Sequence, residues 1–150
     1  LLALVIALYG AGLSSYMFFV QQREKKPHIR VEFTYKWRGT EKGAIGIPSV
    51  AVSVINEGFI PTTLDEVRIW ARVGVPFSLL PGDTRKLPVE VLPGKKYESY
   101  IPVREVREKL AAVNEHDGAF LRAVCRDQVD RAYRSNPLHF NCKASFAHED

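Results

Sequence analysis

A chain of 150 residues with a net charge of +4 and 46% hydrophobic residues has room for an apolar N-terminal run and one further domain of about 130 residues with a core of its own. Much of the positive charge sits just after that run, and the other Lys and Arg are mixed with Asp and Glu, so the stripe of a nucleic-acid binder is excluded. The two cysteines, Cys125 and Cys142, have no metal-motif spacing, and there is no internal repeat or low-complexity tract of useful length.

Leu1 to Val20 contains no charged residue. At about 1.5 Å of rise per residue, a helix of this length measures about 30 Å, the hydrocarbon thickness of a bilayer. The run therefore predicts a transmembrane helix over residues 1–22. A cleaved signal peptide would have a basic segment ahead of a shorter apolar core of about 7–15 residues. The run starts on Leu1 rather than on Met, so a preceding segment is expected. A buried helix of a soluble protein would need a polar side for water, which this run lacks.

At 100° per residue, Ala3, Ala7, Gly10 and Ser14 fall in a stripe about 60° wide, away from Leu1, Val5, Leu8, Tyr16 and Phe19. Small residues let a second backbone approach closely, so the stripe predicts packing against other membrane helices. Arg23, Lys25, Lys26 and Arg30 follow, against the single acid Glu24. By the positive-inside rule this flank is cytoplasmic. It also suits anionic lipid headgroups, at about 1 kcal/mol per charge. Residues 23–28 read as a basic juxtamembrane linker and residues 29–137 as the body.

Ile29, Val31, Phe33, Tyr35 and Trp37 alternate with Arg30, Glu32, Thr34, Lys36 and Arg38, the period of a half-buried strand. Gly39 to Gly46 reads as a turn. Pro48 to Ile55 alternates again with Val50, Val52 and Val54 inward, ending in the turn Asn56-Glu57-Gly58. A third strand is predicted over Leu64 to Val73, with Val67, Ile69, Ala71 and Val73 on one side and Arg68, Trp70 and Arg72 on the other. Two Pro-Gly turns follow, Leu80-Pro81-Gly82-Asp83 and Leu92-Pro93-Gly94-Lys95, separated by a short strand over Leu87 to Leu92.

Tyr97 to Val103 is a further strand, and Val103, Val106, Leu110 and Val113 mark the apolar side of a helix ending near Asn114. Ala119 to Arg126 and Arg131 to Ser135 read as paired strands. Leu138, Phe140, Cys142, Ala144 and Phe146 alternate once more, so the extension at 138–150 can add a strand or pack on a partner. Short strands with a turn about every ten residues, and one helix in a crossover, indicate a mainly β antiparallel sandwich.

The run Val52 to Pro61, followed by Val67 and Ile69, resembles the immunoglobulin-like or fibronectin-like pattern Val-x-Val-x-Asn-x-Gly-x-x-Pro, and Leu92-Pro93-Gly94 resembles a later turn of such domains. The resemblance covers residues 29 to 135. It implies an immunoglobulin-like β-sandwich following the N-terminal transmembrane helix, and binding or scaffolding more often than catalysis.

No residues read as a catalytic site. Asp65 and Glu66 are neighbours in a predicted strand and so point to opposite faces; Glu149 and Asp150 read as solvated charges. His139, Cys142, His148 and Cys125 match no zinc spacing, and Gly10-Ala11-Gly12 lies inside the apolar helix. A Cys125 to Cys142 bridge in an oxidising compartment would add about 3 kcal/mol; in the cytoplasm both thiols stay reduced. Trp70 between Arg68 and Arg72 is a candidate interface, because aromatic and arginine side chains anchor protein contacts. Phe59 and Ile60, at a turn tip, are a second.

These features together predict a non-catalytic, single-pass accessory or scaffold subunit of a multi-subunit membrane complex, with respiratory, photosynthetic and transport assemblies all fitting. Its partners would be integral membrane subunits and an anionic bilayer, with no cofactor, no metal and no nucleic acid. The competing expectation is a membrane-tethered extracytoplasmic domain that binds a protein or glycan.

Overall fold

Leu- and Ala-rich sequence without proline carries helix α1 over Leu2–Glu24, three residues short of Pro27. The computed structural model describes residues 2–24, 26–38, 46–72, 77–79 and 86–144. Within α1 the stretch Leu2–Gln22, 21 residues, is long and apolar enough to cross a membrane, and it is not buried against the rest of the chain.

The body is two antiparallel sheets. Sheet A has β1 (Ile29–Arg38), β2 (Ile47–Asn56) and β6 (Lys96–Pro102) in the order β1-β2-β6. Sheet B is built on β3 (Thr62–Ala71) and β7 (Ala119–Asp127). One edge of β3 pairs with β4 (Phe77–Leu79) and β5 (Val89–Val91), and the far edge of β7 pairs with β8 (Ala132–Arg134) and β9 (Leu138–Phe140). Helix α2 (Val103–Ala111) carries the chain from β6 in sheet A to β7 in sheet B. The predicted crossover helix and most of the predicted strands are present within a few residues of their expected limits. β4 lies in a stretch read as neither strand nor turn, and β9 is the additional strand that the alternation after Leu138 allowed. The turns at 39–45 and 80–83, the strand end at Val73 and the tail from 145 lie outside the described residues.

Alternation decides which face is buried. Val31 pairs with Val54 and Phe33 with Val52, and these side chains meet Leu64, Val67, Ile69, Leu121, Ala123 and Cys125 of the other sheet. Val103, Val106 and Leu110 seal the core from α2. Full burial of each such side chain contributes about 1.5–3 kcal/mol relative to exposure. At the strand end of β1, Tyr35 stacks on buried Phe140 with ring centroids 6.0 Å apart, tying sheet A to β9. Gly118 lets the backbone of β9 lie against the chain just before β7: a Cβ there would lie 2.4 Å from the Phe140 carbonyl oxygen.

Two departures from simple alternation have visible causes. The β3–β7 register shifts between Leu64 and Glu66, so Asp65 is the extra residue of a bulge rather than a member of a strict two-residue repeat. The expectation that Asp65 and Glu66 point to opposite faces of a regular strand is replaced by this irregularity, which keeps both Leu64 and Val67 in the core. On β2 the outward residues Ser49, Ala51 and Ser53 are buried as well, although only the Val side was expected to be. They are small, and Lys36 of β1 reaches Glu98 of β6 across the central strand, Nζ to Oε1 at 2.5 Å. Ser53 and Lys96 also donate to Glu98 Oε1 at 2.9 and 3.0 Å, and Tyr100 donates to Oε2 at 2.8 Å. The Lys36 contact, followed by the other donors, holds the Glu98 carboxyl well below the usual carboxylate range.

Candidate functional site

Residues that face outward from β3 and β7 share one surface because the two strands pair antiparallel. Trp70 stands opposite Arg122, Arg68 opposite Val124, and Glu66 opposite Arg126. The Arg72 amide donates to the Phe120 carbonyl at 3.2 Å and extends the ladder by one step. Val124 in turn pairs with Arg134 of β8, and Phe120 with His139 of β9, the two rings meeting edge to face at 4.9 Å. The outer face of sheet B thus gathers Arg68, Arg72, Arg122, Arg126 and Arg134 around Trp70 and Phe120. Trp70 is 39% exposed and Phe120 58%.

Charge on this face is only partly compensated. Glu66 pairs with Arg68 and lies 3.8 Å from Arg126, which also binds Asp130 at 2.7 Å. Arg72, Arg122 and Arg134 form no ion pair among the described residues. Between Trp70, Arg72, Phe120, Arg122 and Pro137 lies an open groove of about 540 Å³. Its lining joins the apolar Trp70, Ala71, Phe120, Leu121 and Pro137 to Arg72 and Arg122, which suits an acidic protein surface carrying an apolar side chain.

The expected interface trio Arg68, Trp70 and Arg72 falls on this face, Trp70 and Arg72 exposed and the Arg68 side chain partly so. Sequence reading missed Arg122 and Phe120, about fifty residues away, which double the surface. Their signal was present: Phe120, Arg122, Val124 and Arg126 alternate with buried Leu121, Ala123 and Cys125, the same aromatic and arginine pattern as on β3.

The second candidate, Phe59 with Ile60, lies at the other end of the strands, in the loop between β2 and β3. Phe59 is 78% exposed, whereas Ile60 is half-buried. Buried Asn56 organises this end. Its side-chain amide donates to the carbonyls of Ile60 at 2.7 Å and Val91 at 2.8 Å, and its Oδ1 accepts from the Gly58 amide at 3.0 Å. Its backbone exchanges bonds with the turn after β5: Asn56 N donates to the Lys95 carbonyl and Gly94 N to the Asn56 carbonyl. Gly58 is required by close approach, since a Cβ there would lie 2.8 Å from the His28 backbone nitrogen.

Of the basic flank, Lys26 is exposed, and Arg30 bonds Glu57 at 3.1 Å and Glu32 at 3.3 Å. Arg23 lies in the last turn of α1, and Lys25 lies outside the described residues. Ala3, Ala7, Gly10 and Ser14 are all exposed on α1, with nothing within 4 Å of a Cβ built at Gly10.

The cysteines do not meet. Cys125 is buried and pairs with Tyr133 of β8, whereas Cys142 follows β9, whose Phe140 is opposite Ala119. Six residues of β7 separate those levels, about 20 Å of strand. A disulfide needs its Cα atoms within about 7 Å. The bridge considered for an oxidising compartment is therefore excluded by register, and both thiols are free, Cys125 buried and Cys142 half-buried. Burial pushes the Cys125 thiol up to about 12. No group of three or more His, Cys, Asp or Glu suited to a metal occurs among the described residues; His148 lies outside them.

No protein-family model matches the chain, and no curated protein matches it. Among solved structures, it is similar to the X-ray structure of a Northeast Structural Genomics Consortium target, SoR45, at 11% identity and a TM-score of 0.41, covering 85% of this chain and 95% of the other. It is also similar to a protein from Archaeoglobus fulgidus at 13% identity and a TM-score of 0.33, covering 80% of this chain and 100% of the other. Both likenesses are too distant to carry an argument. The chain's own geometry makes it a mainly β protein with one N-terminal helix of membrane-crossing length.

Proposed function

We propose that this chain is a non-catalytic, single-pass accessory subunit of a multi-subunit membrane complex, with an immunoglobulin-like body on the cytoplasmic side. The strand order supports the immunoglobulin-like reading. Sheet A, β1-β2-β6, matches strands A, B and E of that fold, and β4-β3-β7-β8 matches the order C′, C, F and G.

The observation that carries the functional reading is the outer face of sheet B, where Trp70 and Phe120 lie among arginines of which Arg72, Arg122 and Arg134 lack an acidic partner among the described residues. Such a face fits docking to an acidic protein surface. The fully exposed small-residue stripe of α1 supports a second attachment inside the bilayer, and the basic flank after α1 supports the cytoplasmic side.

The test is affinity purification in mild detergent of the intact chain beside two variants, Trp70→Ala with Arg122→Glu, and Gly10→Ile. Integral membrane proteins should co-purify with the wild type and be lost from both variants. A chain that purifies alone, or variants that keep every companion, would refute the reading. Protease accessibility of the body only from outside intact cells would instead support the membrane-tethered extracytoplasmic binding domain.

A further inference from the structure

We infer that the end of the body nearest α1 rests in the headgroup layer of an anionic bilayer, with Phe59, Leu92 and Val129 inserted as three apolar feet. The inference rests on α1 spanning the membrane and goes beyond that by fixing how the body is oriented.

The three residues come from separate loops at one end of the sandwich. Phe59 tips the β2–β3 loop, Leu92 opens the β5–β6 turn, and Val129 tips the β7–β8 turn; they are 78%, 46% and 65% exposed. Register places them together: Ile29 at the start of β1 is opposite Asn56 at the end of β2, Lys96 at the start of β6 is opposite Ile55, and Asp127 at the end of β7 is opposite Leu64. Pro27, Ile60 and Val129 line one groove of about 260 Å³, so the chain enters the body between two of these tips.

Chain length supplies the occupant. From Glu24, the end of α1, to His28 there are four residues, which reach at most about 14 Å when extended. The His28 carbonyl is already bonded to the Glu57 amide at 2.8 Å, so the Phe59 loop is tied to the tether itself. A body on so short a tether, with apolar tips around its point of attachment, meets the interface before any other surface.

Charge agrees with lipid. Two of the acids at this end are paired, Glu57 with Arg30 at 3.1 Å and Asp130 with Arg126 at 2.7 Å, and Asp127 accepts from the amides of Val129 and Arg131, which leaves Asp65 and Glu90 as exposed acids. Lys26 and Lys95 are exposed with no ion pair among the described residues. Cations beside inserted apolar side chains are the composition that anionic headgroups attract. The hydrogen bonds of Asn56 hold the Phe59 and Leu92 loops as a rigid pair, so little ordering is lost on contact.

The experiment uses the full chain reconstituted in vesicles of phosphatidylcholine with about one-third phosphatidylserine, some of whose acyl chains carry a nitroxide near the headgroup. One sample carries Phe59→Trp, Trp37→Phe and Trp70→Phe; the other carries only Trp70→Phe and so reports from Trp37, at the opposite end of β1. The tryptophan at 59 should be quenched at least about twofold more than Trp37. Equal quenching of the two, in a chain that stays with the vesicles at alkaline pH, overturns this inference alone. Release of the chain at alkaline pH overturns the spanning helix and this inference with it. Amide exchange of the unsubstituted chain is the second measurement: residues 57–60 and 128–130 should exchange several-fold more slowly with phosphatidylserine than with phosphatidylcholine alone, and equal rates would again refute the inference.

Discussion

The side chain of Asn56 at the end of β2 donates to the carbonyl of Val91 on β5 at 2.8 Å, a buried hydrogen bond from one sheet of the sandwich to the other. Removing that amide takes this partner from the Val91 carbonyl and the Gly58 amide, and leaves the Ile60 carbonyl with only the longer 3.4 Å bond from the Thr62 hydroxyl. Each buried orphan costs about 1–3 kcal/mol, less where water can reach it. Asn56→Ala is therefore expected to lower stability by about 2–4 kcal/mol in urea titration of the detergent-solubilised chain. Asn136→Ala, at an exposed site, should change it by less than about 0.5 kcal/mol.

Glu98 gives the sandwich an acid-sensitive clasp. Its carboxyl is held below the ordinary value of 4.5, chiefly by Lys36. Because the folded state favours the ionised form, this stabilisation is complete above about pH 4.5 and is lost as pH falls toward the folded-state value. Glu98→Gln should destabilise by about 1–2 kcal/mol at pH 7, and the difference from wild type should shrink steadily below about pH 4.5. A gap that stays constant down to the acid transition would show that the clasp does not depend on charge.

The two thiols should differ in reactivity. Cys125 is fully buried with its pKa pushed up to about 12, and Cys142 is half-buried beside the Glu115 carbonyl. With a maleimide at pH 8, Cys142 is expected to label while Cys125 stays unmodified until the body unfolds, as followed by mass spectrometry. Oxidation should give no intramolecular bridge. The redox state of these cysteines is consequently no guide to the side of the membrane on which the body lies.

How far the sequence could be read varied from element to element for physical reasons. Side-chain alternation is local, so β1 and β2 and their inward Val31 and Val52 followed directly from a period of two. The bulge at Asp65 was hidden because an inserted residue shows itself only against the partner strand β7. β4 is three residues, too short for a period to declare itself, whereas the alternation from Leu138 allowed β9 without saying that it pairs with β7.

By itself the sequence determined that residues 1–20 are an uncharged run and which side of each long strand faces the core, since both depend on residues a few positions apart. Tertiary structure alone decided that Arg122 lies beside Trp70, that Asn56 joins the two sheets, and that Cys125 and Cys142 stand apart. Those relationships are set by which strands pair and in what register. That pairing is chosen by burial of the whole core and leaves no local trace in the order of residues.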